Sequence, residues 1–380
     1  MQPIYDGENI STVANLPNPN LKWEQTAQTN IGWDLGFFDG RLNIGGDFYY
    51  KKTTDLFTNV DVSPINGITS YIMNNGDMLN KGFSISLNGY PVKTKNFRWY
   101  MSTYYSVNLN KVQTDDARNY NLNDYLNGTA VVSGQPISTF YSYKFLGLNP
   151  QNGAPMFDDW EDRWHLLQGK TLDEVVPMIL VNSGTRDPKF SGDLNNTFTY
   201  KNWSLSLNFS YSLGSKVRLF EMYGPIINGI SAAANVREEF LDRWQVPGDE
   251  KYTVYPLIIS PSSPDYEHYR LHYSAPQRAV GPNSGVPAFA NNVWQMYDDS
   301  DLRVVSGNYL KLQSLSFSYR LNDRLLRKTP FTQLSISFNT HNCFTISAKE
   351  LRGQHPSQAG FADAGLSIRP SYTIGLNVSF

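Results

Sequence analysis

The residues best equipped for chemistry are scattered rather than gathered. His268 and His272 stand four apart, the spacing at which two imidazoles share one helix face and can grip zinc. Glu267 does not occupy the position a zinc-protease helix requires, and Pro261, Pro264 and Pro276 crowd the segment, so the pair reads as plain loop histidines. Asp158, Asp159, Glu161 and Asp162 form one acidic run, and Asp298, Asp299 and Asp301 another. Hard cations collect carboxylate oxygens, so calcium is the one ion either run could hold. Neither run has the spacing of a calcium-binding loop, and solvated loop charge explains both as well. With 34 Asp and Glu in the chain, pairs at glycosidase separation arise without selection. The sole cysteine, Cys343, excludes an internal disulfide and a cysteine zinc site. There is no nucleophile elbow, phosphate loop or dinucleotide fingerprint. No catalytic residue is assigned, no metal site is predicted, and the chain reads as a non-enzyme.

Aromatic side chains offer a different chemistry, that of gripping a ligand. Asp158, Trp160, Trp164, Trp244, Trp294 and Tyr297 fall in predicted loops. Their rings could stack on sugars or hold peptide side chains, with Asp supplying hydrogen bonds. The competing reading for each ring is that it packs the loops together. Trp23, Trp33, Trp99 and Trp203 fall near the ends of predicted strands, where an interfacial belt explains them better.

The elements that would carry these residues are strands. Residues Trp203, Leu205, Leu207, Phe209, Tyr211 and Leu213 alternate with Ser204, Ser206, Asn208, Ser210 and Ser212. A strand turns successive side chains to opposite faces, so one wall is apolar and the other polar. Phe83–Asn88 and Leu334–Asn339 repeat the pattern. At the end of the chain Tyr372, Ile374, Leu376, Val378 and Phe380 share one face. The polar faces hold Ser, Thr, Asn and Gly rather than Lys or Glu. Aromatics make up 14% and charged residues only 17%, whereas a soluble domain carries about 25% charge. Mean hydropathy is nevertheless only −0.42. Aromatic-rich, charge-poor and not apolar on average is the composition of a membrane barrel, where every second strand residue must be apolar.

Eleven strands are predicted, near 21–36, 40–56, 74–90, 97–112, 137–149, 153–160, 189–201, 203–213, 303–321, 332–345 and 368–380. Short connections lie near 36–40, 91–96, 149–153, 201–202 and 322–331. Long ones lie near 57–73, 113–136, 161–188, 214–302 and 346–367. Short periplasmic turns and long extracellular loops alternate in outer-membrane barrels, and this parity places Phe380 at the periplasmic rim. The fold class is therefore all-β: an antiparallel transmembrane β-barrel. Eleven strands are roughly half of the roughly 22 in a plugged outer-membrane transporter. Residues 1–380 then form the C-terminal part of such a barrel. Met1–Asp6 has neither a basic start nor an apolar core, so the sequence predicts no signal peptide and no plug domain here. A net charge of −2 offers no basic field for nucleic acid. Two other readings stand beside this one. One is a soluble β-rich carbohydrate-binding protein with its apolar faces inward. The other is a barrel fragment without function, whose raw sheet edges invite aggregation.

Ordered blocks then make the chain recognisable. They begin with Asn18-Pro-Asn-Leu-Lys-Trp-Glu24, Gln28-Thr-Asn-Ile-Gly32, Gly36-Phe-Phe-Asp-Gly-Arg-Leu42 and Phe48-Tyr-Tyr-Lys-Lys-Thr-Thr-Asp-Leu56. Asn75-Gly76, Met78, Asn80-Lys-Gly-Phe83, Tyr141-Ser-Tyr-Lys-Phe-Leu-Gly147 and Asn149-Pro-Gln-Asn-Gly153 follow. Asp187-Pro-Lys-Phe-Ser-Gly192, Asn195-Asn-Thr-Phe198, Arg243-Trp244, Pro247-Gly-Asp249, Gly307-Asn-Tyr-Leu-Lys-Leu312 and Arg369-Pro-Ser-Tyr372 complete the series. In this order they resemble the C-terminal half of the barrel in SusC/RagA-type TonB-dependent transporters. Asn342-Cys343 and His355-Pro356 depart from the family pattern. The resemblance implies an energised outer-membrane importer of oligosaccharides or oligopeptides. A SusD-like surface lipoprotein would lid the barrel, and TonB–ExbB–ExbD would act through an N-terminal part not matched here. It also implies that Tyr372, Ile374, Leu376, Val378 and Phe380 form the signal read by the barrel-assembly machinery, as strand addition to an open edge would require.

Overall fold

The computed structural model describes residues 4–5, 8–9, 17–61, 70–114, 120–158, 160–226, 236–258, 266–271, 279–280, 286–287, 289, 292–327, 329–358 and 368–380. Asp159 and His272, singled out above, lie outside the described residues.

Nine long strands build one antiparallel sheet in which each strand pairs with its neighbours in sequence. They are β1 Gln25–Phe37, β2 Leu42–Thr54, β3 Asp77–Lys93, β4 Phe97–Gln113, β5 Phe190–Tyr200, β6 Trp203–Leu213, β7 Tyr309–Arg320, β8 Gln333–Ser347 and β9 Ser371–Ser379. Period-two patterning explains the registry, because a one-residue slip would turn every apolar side chain to the polar wall. Phe198 pairs with Trp99 on one side and Leu205 on the other, and Leu205 pairs with Phe317. Phe317 continues to Phe338, and Phe338 to Ile374. One apolar face therefore runs unbroken across six strands. Ser204, Ser206 and Asn208 of β6 lie opposite Thr199, Thr197 and Asn195 of β5 on the other face.

The aromatic residues form two bands. Near the short turns, Trp99 stacks on Phe198 at 5.7 Å and Trp203 on Phe317 at 5.2 Å. Toward the long loops, Phe83, Tyr105 and Phe190 follow one another at 5.9 and 6.1 Å. Trp99 and Tyr105 are six residues apart on β4, about 20 Å along a strand, close to the height of a lipid-facing band. Trp33 is set further into β1, its indole lying over Gly46 of β2 where a β-carbon would collide. Asn196 interrupts the apolar face, and the Trp99 indole N–H donates to its side-chain oxygen at 2.9 Å. That pairing matters where no water is available.

Two predicted strands are corrected. Segments 137–149 and 153–160 do not enter the sheet, because β4 pairs directly with β5 from Phe97↔Tyr200 to Val107↔Phe190. Thr139–Tyr143 instead pairs with Leu180–Thr185, and Phe145–Leu148 with Pro155–Phe157. The physical reason is visible in burial: all five residues of Thr139–Tyr143 are buried, so the segment has no polar face to turn to a channel. Residues 114–189 are thus one connection. Removing two strands together preserves the alternation of short and long connections. The Asn149–Gly153 turn moves to the long-loop end.

The short connections are 38–41, 94–96, 201–202 and 321–332, and the long ones 55–76, 114–189, 214–308 and 348–370. The first long connection carries a hairpin, Phe57–Asp61 with Ser70–Asn74. β8 bulges at Asn342 and Cys343, which oppose the single residue Gln313. Asn342 takes φ +55°, a left-handed conformation that Asn tolerates. The departure from the family pattern at this dipeptide therefore falls on a bulge.

Candidate functional site

Two surfaces follow from this architecture: the polar wall of the sheet and the folded loops at its long-loop end. The wall is a network of short hydroxyl and amide side chains. Ser316 donates to Asn339 at 2.7 Å and Asn110 to Asn80 at 2.7 Å, while Thr197 and Ser206 lie 3.1 Å apart. Tyr49 lies over Gly82 and donates its hydroxyl to Asn108 at 2.8 Å. Asp34, Asp47, Lys51, Asp193 and Lys311 stand on the same face by register, so the wall presents hydroxyl and amide donors and acceptors with scattered charges of both signs.

The long connections 114–189 and 214–308 fold against each other around a shared core. Leu126, Tyr143, Leu167, Val175, Met296 and Tyr297 are among its most buried members. Local signals start its helices. Asn121 caps Leu122–Asn127 by accepting from the Asp124 amide, and the Asp124 carboxylate accepts in return from the Asn121 amide. Asn292 caps Val293–Asp298 by accepting from the Gln295 amide at 2.7 Å.

Two buried charges hold the connections together. Arg218 is 2% exposed. It donates to the Tyr141 carbonyl at 2.7 Å, the Leu126 carbonyl at 3.3 Å and the Ser142 hydroxyl at 3.1 Å, and stands 3.8 Å from the Asp299 carboxylate. Asp298, also buried, accepts from the amides of Met222, Tyr223 and Gly224 at 2.8–2.9 Å. Burial pushes the Asp298 carboxyl up, while Arg303 and those three amides hold it down. Burial raises Asp299 to about 7 despite the opposing pull of Arg218.

The residues proposed to grip substrate are mostly inside this unit. Trp160 is 7% exposed, Trp244 and Trp294 4%, and Tyr297 is fully buried. The Trp294 indole donates to the Leu257 carbonyl at 3.1 Å and that of Trp244 to Glu250 at 3.3 Å. Their rings join the two connections and present no open face to a ligand in this arrangement. Trp164 packs half-buried against the same core. Asp158 remains half-exposed and ion-pairs with Arg163. Of the acidic runs, Asp298 is committed to backbone amides, and Asp301 accepts from Lys144 and from the Phe145 amide at 3.0 Å. His268 is exposed on the short helix Tyr266–Leu271. Arg218 was missed by sequence reasoning. A lone arginine between Val217 and Leu219, in a chain otherwise poor in charge, was the signal available.

At the other end of the chain, Tyr372, Ile374, Leu376 and Val378 lie on β9, whose one partner is β8. Phe380 packs edge-on against Phe331 at 5.3 Å, at the short-turn end. β1 and β9 are the two sheet edges, so the sheet is an open wall.

Comparison with known proteins fits this geometry. The family described as "TonB dependent receptor-like, beta-barrel" matches residues 3–237. TonB-dependent receptor P3 of Formosa agariphila is 25% identical over 401 residues, covering 98% of this chain and 36% of that protein. TonB-dependent receptor SusC of Bacteroides thetaiotaomicron is 30% identical over 224 residues, covering 56% of this chain and 21% of that protein. The RagAB peptide transporter superposes with a TM-score of 0.71 at 19% identity, over 100% of this chain and 38% of the other. The chain spans little more than a third of the length of these full-coverage relatives. The open sheet is accordingly part of a transmembrane barrel wall, and the family is one of receptors and transporters rather than enzymes, which places it in the outer membrane. The chain belongs to the TonB-dependent receptor β-barrel family, with SusC among its relatives.

Proposed function

We propose that these residues form the C-terminal part of a SusC/RagA-type importer in the outer membrane of a Gram-negative cell. The observation that carries this reading is the continuous two-sided sheet, apolar on one face and hydroxyl- and amide-rich on the other, with a folded loop unit at one end only. The apolar face meets lipid and the polar face lines the lumen. The loop unit stands outside the cell, and Phe380 sits at the periplasmic rim. Oligosaccharides or oligopeptides are the cargo. A SusD-like lipoprotein closes over the loops, and TonB–ExbB–ExbD supplies energy through the N-terminal part of the receptor. The peptide transporter RagAB, which shares the fold over the whole chain, supports a peptide cargo. The relative SusC, a TonB-dependent receptor, supports the receptor architecture.

The test is uptake. Cells lacking the gene would be given labelled oligopeptides and oligosaccharides, with and without a protonophore. The reading expects one class to accumulate in the parent, to fail in the deletion strain, and to stop when the proton gradient collapses. Equal accumulation in both strains for every compound overturns it.

A further inference from the structure

The apolar face of the sheet has a hollow of about 500 Å³ near the short turns. Leu42, Gly89 and Met101 form one register row across β2, β3 and β4. The row continues to Asn196 and Leu207, which places it on the apolar face. Leu87 stands on the same face, two residues along β3, opposite Ile44. Gly89 leaves a gap in the row between Leu42 and Met101. No larger residue fits there, because a β-carbon on Gly89 would collide with the Arg41 carbonyl. β3 then bulges: the register moves from Gly89↔Met101 to Val92↔Trp99, so Tyr90 and Pro91 oppose Tyr100 alone. Phe38, Pro91 and the exposed Arg41 line the end of the hollow nearest the turns.

That end of the sheet is basic. Arg41, Lys95, Lys201, Arg324 and Arg327 lie in the short connections, and all are exposed. Lys93, Arg98 and Arg320 flank these connections and are exposed as well. The same stretches hold only Asp39 and Asp323 as acids, beside the carboxyl group of Phe380. Among the described residues, none of these cations forms an ion pair. Trp99, two residues nearer the turns than Met101, belongs to the aromatic band. The hollow therefore opens just inside the level where acyl chains meet headgroups. A face turned to lipid gives a water-soluble ligand no route in. An apolar slot with a free guanidinium at its headgroup end fits a hydrocarbon chain carrying an anion, and basic side chains at a bilayer surface attract anionic lipid.

We propose that this hollow holds an acyl chain of one anionic phospholipid, drawn from the leaflet that bathes the short turns. Leu42, Leu87 and Met101 contact the chain, Arg41 meets the phosphate, and Lys95 on the neighbouring turn adds to the attraction. In the orientation proposed above, that leaflet is the periplasmic one. The site itself needs only that the apolar face meets lipid.

Dioleoylphosphatidylglycerol is the probe, with dioleoylphosphatidylcholine as the counterpart that has the same chains and no net charge. The full receptor, purified in a nonionic detergent, would be titrated with each, and native mass spectrometry would read the one-lipid adduct. The parent is expected to hold phosphatidylglycerol about fivefold more tightly, the worth of one basic residue beside an anionic surface. Arg41→Gln should bring it down to the level of phosphatidylcholine. Leu87→Trp, which fills the hollow, should weaken both lipids. Arg324→Gln, on the connection between β7 and β8, should change neither. Equal binding of the two lipids by the parent overturns the proposal, as does unchanged binding in Arg41→Gln or Leu87→Trp. An equal loss in Arg324→Gln also overturns it, because the attraction would then belong to the whole rim and not to the hollow. Transport is not read in this experiment, so a failed lipid preference leaves the import reading standing, and failed uptake leaves the lipid site standing.

Discussion

Trp244 packs against Gly153, so close that a β-carbon on Gly153 would collide with the carbons of the indole ring. Gly153 also takes φ +67°, a region that favours glycine, and its carbonyl accepts from the Leu257 amide at 3.0 Å. One residue thus fastens the connection 114–189 to the connection 214–308. Gly153→Ala is expected to destabilise the loop unit by about 2 kcal/mol, through overpacking and the strained φ. Hydrogen exchange should speed up across 149–157 and 236–258 and stay unchanged in β5 and β6. Unchanged exchange in the loops would show that this contact does not hold them.

Arg218 is the second fastening. Replacing it with Leu removes its hydrogen bonds to Leu126, Tyr141, Ser142 and Ser300 and leaves the Asp299 carboxylate without its 3.8 Å neighbour. Breaking one partner of a buried charge pair costs about 3–5 kcal/mol. The unit should become sensitive to external protease in intact cells while the barrel remains resistant to heat in detergent. Protease resistance equal to that of the parent protein would count against the role assigned to Arg218.

Asp299 makes the loop unit pH-dependent. Its carboxyl rises from 3.8 to about 7 in the folded state, chiefly because it is buried. A raised pKa means that the folded unit holds the proton more tightly than the unfolded chain does. The resulting stabilisation is complete below about pH 4 and is lost as pH rises through about 7. It amounts to roughly 4 kcal/mol at most. Melting of the loop unit between pH 5 and 8 should show stability falling with pH, and Asp299→Asn should flatten that trend. A variant that keeps the parent's slope would place its origin elsewhere.

The two faces of β6 predict opposite responses to charge. Leu207→Lys puts an ammonium into lipid and should cost about 2–4 kcal/mol near the bilayer midplane. Ser206→Lys, one residue away, turns into the lumen and should cost little. Outer-membrane abundance and heat-modifiable migration would distinguish them. Equal loss in both variants would contradict the assignment of faces.

Phe380 provides the last prediction. If Tyr372, Ile374, Leu376, Val378 and Phe380 guide assembly, Phe380→Ser should lower the assembled fraction several-fold in pulse-chase labelling. Ser379→Ala, on the opposite face of β9, should not. Assembly at the parent's rate in both would leave β9 an ordinary closing strand.

Period-two alternation by itself determined the nine strands of the sheet and their two faces, though not that the segments 137–149 and 153–160 stay out of it. In β6 it runs without a fault from Trp203 to Leu213, and lipid on one side and water on the other demand that pattern at every pair. The alternation of short and long connections was equally legible, since an antiparallel meander must return to the same end after every two strands. What tertiary structure alone decided was the loop unit. The segment from Thr139 to Tyr143 reads as a strand and is one, yet it is buried on every side and pairs with Leu180–Thr185 rather than with the wall. Trp160, Trp244 and Trp294 could be read from sequence either as ligand-gripping rings or as loop packing, and the structure makes them core because the connections 114–189 and 214–308 close over them. Local sequence records which groups can be buried. It does not record which distant segment arrives to bury them, as the contacts of Arg218 with Leu126, Tyr141 and Asp299 illustrate, 92 and 77 residues away for the first two carbonyls.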